Sequence, residues 1–247
     1  MDLVKKDITL MEKLSRRMVI ELSKTTGEVS GFDLSGLDLS GLDLIAMNFR
    51  GSNFRGSDLS KANMSRSVFD ETDLRGCDLG SSNFTGASFR NAGIEKCDLT
   101  FSTFTGADFS GANLRGADFT NSKLSGANFR NSDLSGANLQ MTDGAMACLA
   151  GANLSGTNLR GSSMVGADLS GACLRGAMLH GTDLNAANLS SADMRETKLI
   201  ETSLIAANLK NADLRSSILK DPDITRANQE GMKTGALFHE FEGDDVV

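Results

Sequence analysis

Stepping along the chain by five from Leu34 to Ile224 visits 39 positions, and 38 of them are Leu, Phe, Met or Ile, with Gly144 the lone exception. No insertion or deletion breaks this register, and an internal repeat of this kind constrains the fold more tightly than any other property of the chain. An α-helix would rotate successive large residues by about 140° and scatter them around its axis. A flat strand repeats every two residues. A period of five instead fits a chain that turns a corner once per unit. Two positions before each large residue the side chain is small through most of the run, as at Ser52, Ser57, Ala62, Ser67, Thr72 and Cys77. The residue between them is mostly Asp or Asn. Gly, Asp, Asn and Ser favour turns through backbone freedom and local side-chain hydrogen bonds, so a unit such as Ala112-Asn113-Leu114-Arg115-Gly116 carries its own corner.

This small–Asp/Asn–large–variable–Gly unit, repeated over residues 32–228, resembles the pentapeptide-repeat family. The resemblance implies an all-β fold, a right-handed quadrilateral parallel β-helix with four units per coil and the large and small residues pointing inward. Residues twenty apart then stack at the strand spacing of about 4.8 Å, and roughly ten coils make a rod about 50 Å long. Three regions are expected: an N-terminal segment 1–30, the solenoid 31–228, and a C-terminal tail or cap 229–247. In the first, Thr9-Leu10-Met11-Glu12 has the capping-box pattern, and Leu10, Met11, Leu14, Met18 and Leu22 form an apolar stripe. This predicts an amphipathic capping helix over about 9–23, with Lys13, Arg16 and Arg17 outward or peripheral. It would cover a first coil whose usually small positions are bulky: Phe32, Leu37, Leu42 and Met47.

The twenty-residue period sorts the interior into columns. One reads Phe49, Phe69, Phe89, Phe109, Phe129 and then Leu149, Leu169, Leu189, Leu209, which predicts a stack of rings in the N-terminal half. Gly144 stands between Leu124 and Met164 in another column, where the missing side chain means either a packing defect or a bend or recognition dent. Cys77 and Cys97 are stacked at small inner positions and read as core thiols. Pro222 lacks the N–H that would continue a ladder and marks the approach to the open end.

The side chains that carry acid–base chemistry are scarce. There are 2 His, no Tyr and no Trp. Carboxylates such as Asp73 and Asp78 are explained by the turns. No triad, metal cluster or phosphate loop is present in the pattern, so no catalytic residue, cofactor or metal is assigned. No apolar run reaches the roughly 20 residues of a membrane span, and no cleavable signal is legible. A cytoplasmic protein is expected, the alternative being secretion into host cells without a cleaved signal peptide.

That leaves surfaces for protein partners. A column of arginines, Arg55, Arg75, Arg115, Arg175, Arg195 and Arg215, is either a salt-bridged surface or a stripe for an acidic partner. A net charge of -7 argues against direct nucleic-acid binding. The primary reading is a non-enzymatic protein-binding scaffold. The family resemblance implies a second, a DNA mimic that binds DNA gyrase or topoisomerase IV and confers resistance to topoisomerase poisons. A third comes from Leu237-Phe238-His239-Glu240-Phe241, which is similar to the Leu-Phe-x-Glu-Phe tail of pentapeptide-repeat effectors injected by enteric pathogens. It implies docking to host trafficking proteins through Leu237, Phe238, Glu240 and Phe241. The apolar tail also supports a C-terminal cap or a homodimer contact through that end.

Overall fold

The computed structural model describes residues 12–235 and 237–238. Each unit pairs in parallel with the unit twenty residues further on, from Lys13↔Asp33 through Asn53↔Asp73 to Asp213↔Lys233. The chain is therefore a stack of twenty-residue coils, four five-residue units to a coil.

The unit Gly51–Arg55 shows why the sequence closes this way. The N–H groups of Gly51 and Phe54 donate to the next coil, at Asp70 O (2.9 Å) and Asp73 O (2.7 Å), and that of Asn53 donates back to Phe32 O at 3.0 Å. Ser52 N donates across the turn to Phe49 O at 3.0 Å. Arg55 N is left over, and the Asn53 side chain accepts it at 3.1 Å. All five donors are thus placed, as buried backbone requires. The Asp/Asn preference follows, because a short side chain with an acceptor caps the N–H two residues on. The small position is explained as well: Ser52 Oγ donates 2.7 Å to Val29 O on the preceding coil. Gly51 has φ 66, the left-handed region that glycine enters without penalty.

The large residues form one continuous core, with the rings of Phe49, Phe54, Phe69, Phe84, Phe89, Phe104 and Phe109 fully buried. Rings twenty apart in the first column stack at 5.0, 4.9, 4.8 and 4.9 Å from Phe49 to Phe129. A second stack, Phe84 on Phe104 at 5.1 Å, meets the first edge-on through Phe84–Phe89 and Phe104–Phe109. Gly144 leaves no dent. Met164 from the next coil fills its place, so closely that a Cβ on Gly144 would lie 2.6 Å from Met164 Sδ.

At the N-terminal end, helix α1 spans Arg16–Ser23 and is shorter than the 9–23 expected. The reason is pairing. Leu14 N donates to Asp33 O and Asp33 N to Glu12 O, both at 3.0 Å, which holds Glu12–Leu14 extended. Ser15 then caps the helix by accepting from Met18 N; Thr9, Leu10 and Met11 lie outside the described residues. Leu14 and Val19 are buried, and Leu22, Phe32, Leu37 and Leu42 pack half-buried against the same core. Arg16 donates to Asp38 O and Ser40 O, and Arg17 pairs with Glu21.

Near the other end, Lys198 and Ile218 replace the Asp/Asn cap, and the chain there runs as strands β1 (Lys198–Ile200) and β2 (Ile218–Lys220), paired twenty apart. Strand β3 (Leu237–Phe238) follows on β2 with an offset of nineteen, Ile218↔Leu237. An apolar cavity of about 130 Å³ opens among Leu204, Leu209, Leu214, Leu219, Pro222 and Met232.

Candidate interaction surface

Most arginines of the expected stripe are held by carboxylates of their own rod. Arg55 and Arg75 both reach Asp73, at 3.6 and 2.5 Å. Arg175 pairs with Glu196, Arg195 with Asp193 and Arg215 with Asp213, each at 2.6 Å. The hydrogen bond from Arg215 holds the Asp213 carboxyl down at about 2, and Arg75 and Arg195 lower Asp73 and Asp193 in the same way. Glu95, in the same column, folds over Gly93 and accepts 2.6 Å from Asn113 Nδ2. It supplies the carboxylate oxygen that Gly93 cannot. Arg115 forms no ion pair among the described residues.

A different row carries uncompensated charge. Asp38, Asp58, Asp78, Asp98 and Asp118 are bridged in succession, one carboxylate per coil. Each spends Oδ1 on its turn, accepting from Ser40, Ser60, Gly80, Thr100 or Thr120 N at 2.8–2.9 Å. Asp38 also pairs with Arg16 at 2.9 Å. The other four take part in no ion pair among the described residues, and no hydrogen bond there engages their Oδ2. Neighbouring charges about 5 Å apart repel by about 0.8 kcal/mol even at the dielectric of bulk water. The row then changes character, to Asn138, Asn158, Met178, Lys198 and Ile218. Reading the Asp/Asn position at twenty-residue intervals exposes this row in the sequence; assigning every Asp to its turn conceals it, because the turn accounts for only one of the two oxygens.

Asp70 shows the opposite arrangement. Its residue is 4% exposed, and it accepts from Ser88 Oγ, Arg90 N and Arg90 Nε. Burial raises its pKa, but the hydrogen bonds from Ser88 and Arg90 outweigh burial and leave the carboxyl below its ordinary value. A folded-state pKa below the unfolded one means stability present above the unfolded value and lost as pH falls through the folded one. Asp70→Ala is expected to cost about 1.5–3 kcal/mol at neutral pH and much less once the carboxyl is protonated. Denaturation of both proteins from pH 7 down to pH 2 checks this; parallel curves would mean that the ion pair contributes nothing.

Cys77 and Cys97 donate through Sγ to Phe54 O and Leu74 O, at 2.8 and 2.9 Å. Both are free thiols, and burial pushes both pKa values up, Cys97 to about 12. Asp73 is tied to its arginines, and Asp78 accepts from its turn at Gly80 N. Among the described residues no group of His, Cys, Asp and Glu could hold a metal ion, and no helix is long and apolar enough to cross a membrane. Leu237 and Phe238 lie in β3, while Glu240 and Phe241 are outside the described residues.

A family model described as pentapeptide repeats matches residues 30–66, 82–121, 112–143, 147–185 and 182–221, and a second model of the same description matches 49–93. No curated protein matches the chain. Among solved structures, HetL, a pentapeptide repeat protein involved in heterocyst differentiation regulation in the cyanobacterium Nostoc sp. strain PCC 7120, is 27% identical, with 89% of this chain and 94% of that one covered and a TM-score of 0.34. A trypsin-treated form of QnrB1, a plasmid-mediated fluoroquinolone resistance protein, is 20% identical over 78% of this chain and 89% of that one, with a TM-score of 0.40. A further Nostoc PCC 7120 pentapeptide repeat protein, alr5209, is 33% identical over 47% of this chain and 84% of that one, with a TM-score of 0.24.

Proposed function

Because the chain belongs to the pentapeptide-repeat family, we propose that it is a non-catalytic, right-handed, four-sided rod that binds protein through its row of aspartates. In this reading α1 closes the N-terminal end. Asp58, Asp78, Asp98 and Asp118 present themselves to a basic groove that otherwise holds duplex DNA. The partner class is DNA gyrase or topoisomerase IV, which the family resemblance brings forward.

The observation that carries the reading is the unpaired carboxylate row. Its carboxylates recur about every 4.8 Å, wider than the 3.4 Å of axial rise per phosphate of one DNA strand, so the row offers a continuous line of negative charge rather than a phosphate-by-phosphate match. The arginines, in contrast, are mostly neutralised within the rod. A rigid row of like charge offers a basic groove complementary potential at little ordering cost.

The test is competition. The purified chain is expected to displace duplex DNA from gyrase or topoisomerase IV. The quadruple variant Asp58→Asn, Asp78→Asn, Asp98→Asn and Asp118→Asn is expected to lose at least tenfold in affinity and most of the salt dependence. Asn already serves this position at Asn138 and Asn158, so the turns survive the change. Relief of the repulsion should leave the melting temperature unchanged or higher. No displacement by the wild-type chain, or equal displacement by the variant, would sink the reading.

A further inference from the structure

The corner position of each unit is left-handed, and most of its occupants are Gly or short polar residues. Three are large and apolar: Phe101, Met141 and Met146, with φ 57, 56 and 59. Bulky residues rarely adopt this conformation, and each such outlier costs strain. The three are also 64%, 62% and 71% exposed. A position that is both strained and mostly solvated gains little for the fold from an apolar side chain, and Asn121, at φ 59 in the same row, shows what the corner accepts easily.

Phe101 and Met141 share one row, two coils and about 10 Å apart. Phe101 is the corner immediately after Asp98-Leu99-Thr100, so it borders the row of unpaired carboxylates. Met141 borders the place where that row passes from Asp118 to Asn138. Met141 lies along the next coil, its Sδ 2.7 Å from where a Cβ of Gly161 would stand. Met146 lies over Gly166, one corner further from the aspartates.

We propose that Phe101 and Met141 are the anchoring residues of the surface whose charge is set by Asp58, Asp78, Asp98 and Asp118. The occupant is a basic protein groove. An arginine or lysine that pairs with a carboxylate of the row can lay its apolar stem or its cation over the Phe101 ring, a contact strengthened by desolvation. Met141 supplies an adaptable thioether beside it. Charge complementarity selects the partner class and the aromatic supplies the anchor, the usual division of labour in an interface. The inference rests on the reading that the carboxylate row binds such a groove.

The experiment compares wild type, Phe101→Asn, Met141→Asn and the quadruple Asp→Asn variant for binding to purified gyrase or topoisomerase IV holoenzyme. It uses two salt concentrations, with a thermal melt of each protein. Phe101→Asn is expected to lose at least tenfold in affinity while keeping the wild-type salt dependence and melting no lower than wild type. Met141→Asn should lose several-fold. Wild-type affinity in both corner variants, with binding lost in the quadruple variant, would overturn the anchoring role and leave the charge reading standing. A melt lowered along with affinity would make the two residues structural and also overturn it. A wild-type chain that does not bind removes both readings.

Discussion

Phe89→Ala is expected to lower the stability of the rod by about 3–5 kcal/mol, the range for emptying a buried aromatic site. The upper part of that range is the expected result. Phe89 is fully buried, and its ring stacks on Phe69 at 4.9 Å and on Phe109 at 4.8 Å, each within 7° of parallel. It also meets Phe84 at 5.4 Å and Phe104 at 6.1 Å edge-on. Relaxation into the hole is restricted, because hydrogen bonds between coils hold the backbone on both sides, Phe69 N to Ser88 O and Phe89 N to Asp108 O, both at 2.6 Å. The spread of measured costs at fixed chemistry reflects how well a site collapses, and this one is pinned. Phe89→Leu makes the contrast, since the same column uses Leu from Leu149 onward; it should cost no more than about half as much as Phe89→Ala. Urea denaturation of the three proteins decides the matter. A shallower transition in the alanine variant would further show the stack dividing into two units, as expected where stability is passed between neighbours. Equal losses for alanine and leucine would refute the cavity argument.

The second large effect is a coupling. Met164 is buried and occupies the space that Gly144 leaves empty. Met164→Ala therefore removes a side chain that serves two core positions, and a cost of about 2–5 kcal/mol is expected. Gly144→Leu in the wild-type background should also destabilise, by about 1–3 kcal/mol, because its Cβ would stand 2.6 Å from Met164 Sδ and 2.9 Å from Cε. Together the two changes should recover most of the loss, since Leu is the residue this column carries at Leu124 and Leu184 and the space it needs has been vacated. A double-mutant cycle by equilibrium denaturation measures the interaction directly. Additive losses would mean that the two sites do not share one volume.

The aspartate row and the arginine column had opposite fortunes in the sequence. Both recur at twenty residues, but in the sequence the arginines stand as outward charge without a partner, while the turns account for the aspartates. Whether a charge is free depends on where its neighbour's side chain goes. Arg75 folds back on Asp73, two residues earlier, and Arg175 reaches across to Glu196 on the next coil. Neither pairing follows from the five-residue register. The helix boundary failed for a similar reason. Leu14 belongs to an apolar helical stripe in the sequence, but Asp33 pairs with Glu12 and Leu14 through the backbone, and the pairing takes precedence over local propensity.

The repeat register, the inward positions as far as Leu219, the stacked Phe column and the scarcity of catalytic groups were determined by the sequence alone. A strict period leaves one way to put 37 of the 38 large apolar residues inside, Ile224 near the open end being exposed, and a coil hydrogen-bonded to its own next turn holds the twenty-residue register from Lys13 to Lys233 before β3 shifts it by one. Only the tertiary structure decided that Met164 fills the gap at Gly144, that Glu95 stands in for a side chain at residue 93, and which charges stay unpaired. It likewise placed Phe101 and Met141 in strained, solvated corners beside the carboxylates. These depend on rotamers of long side chains reaching between coils, and such contacts are set by packing in three dimensions rather than by spacing along the chain.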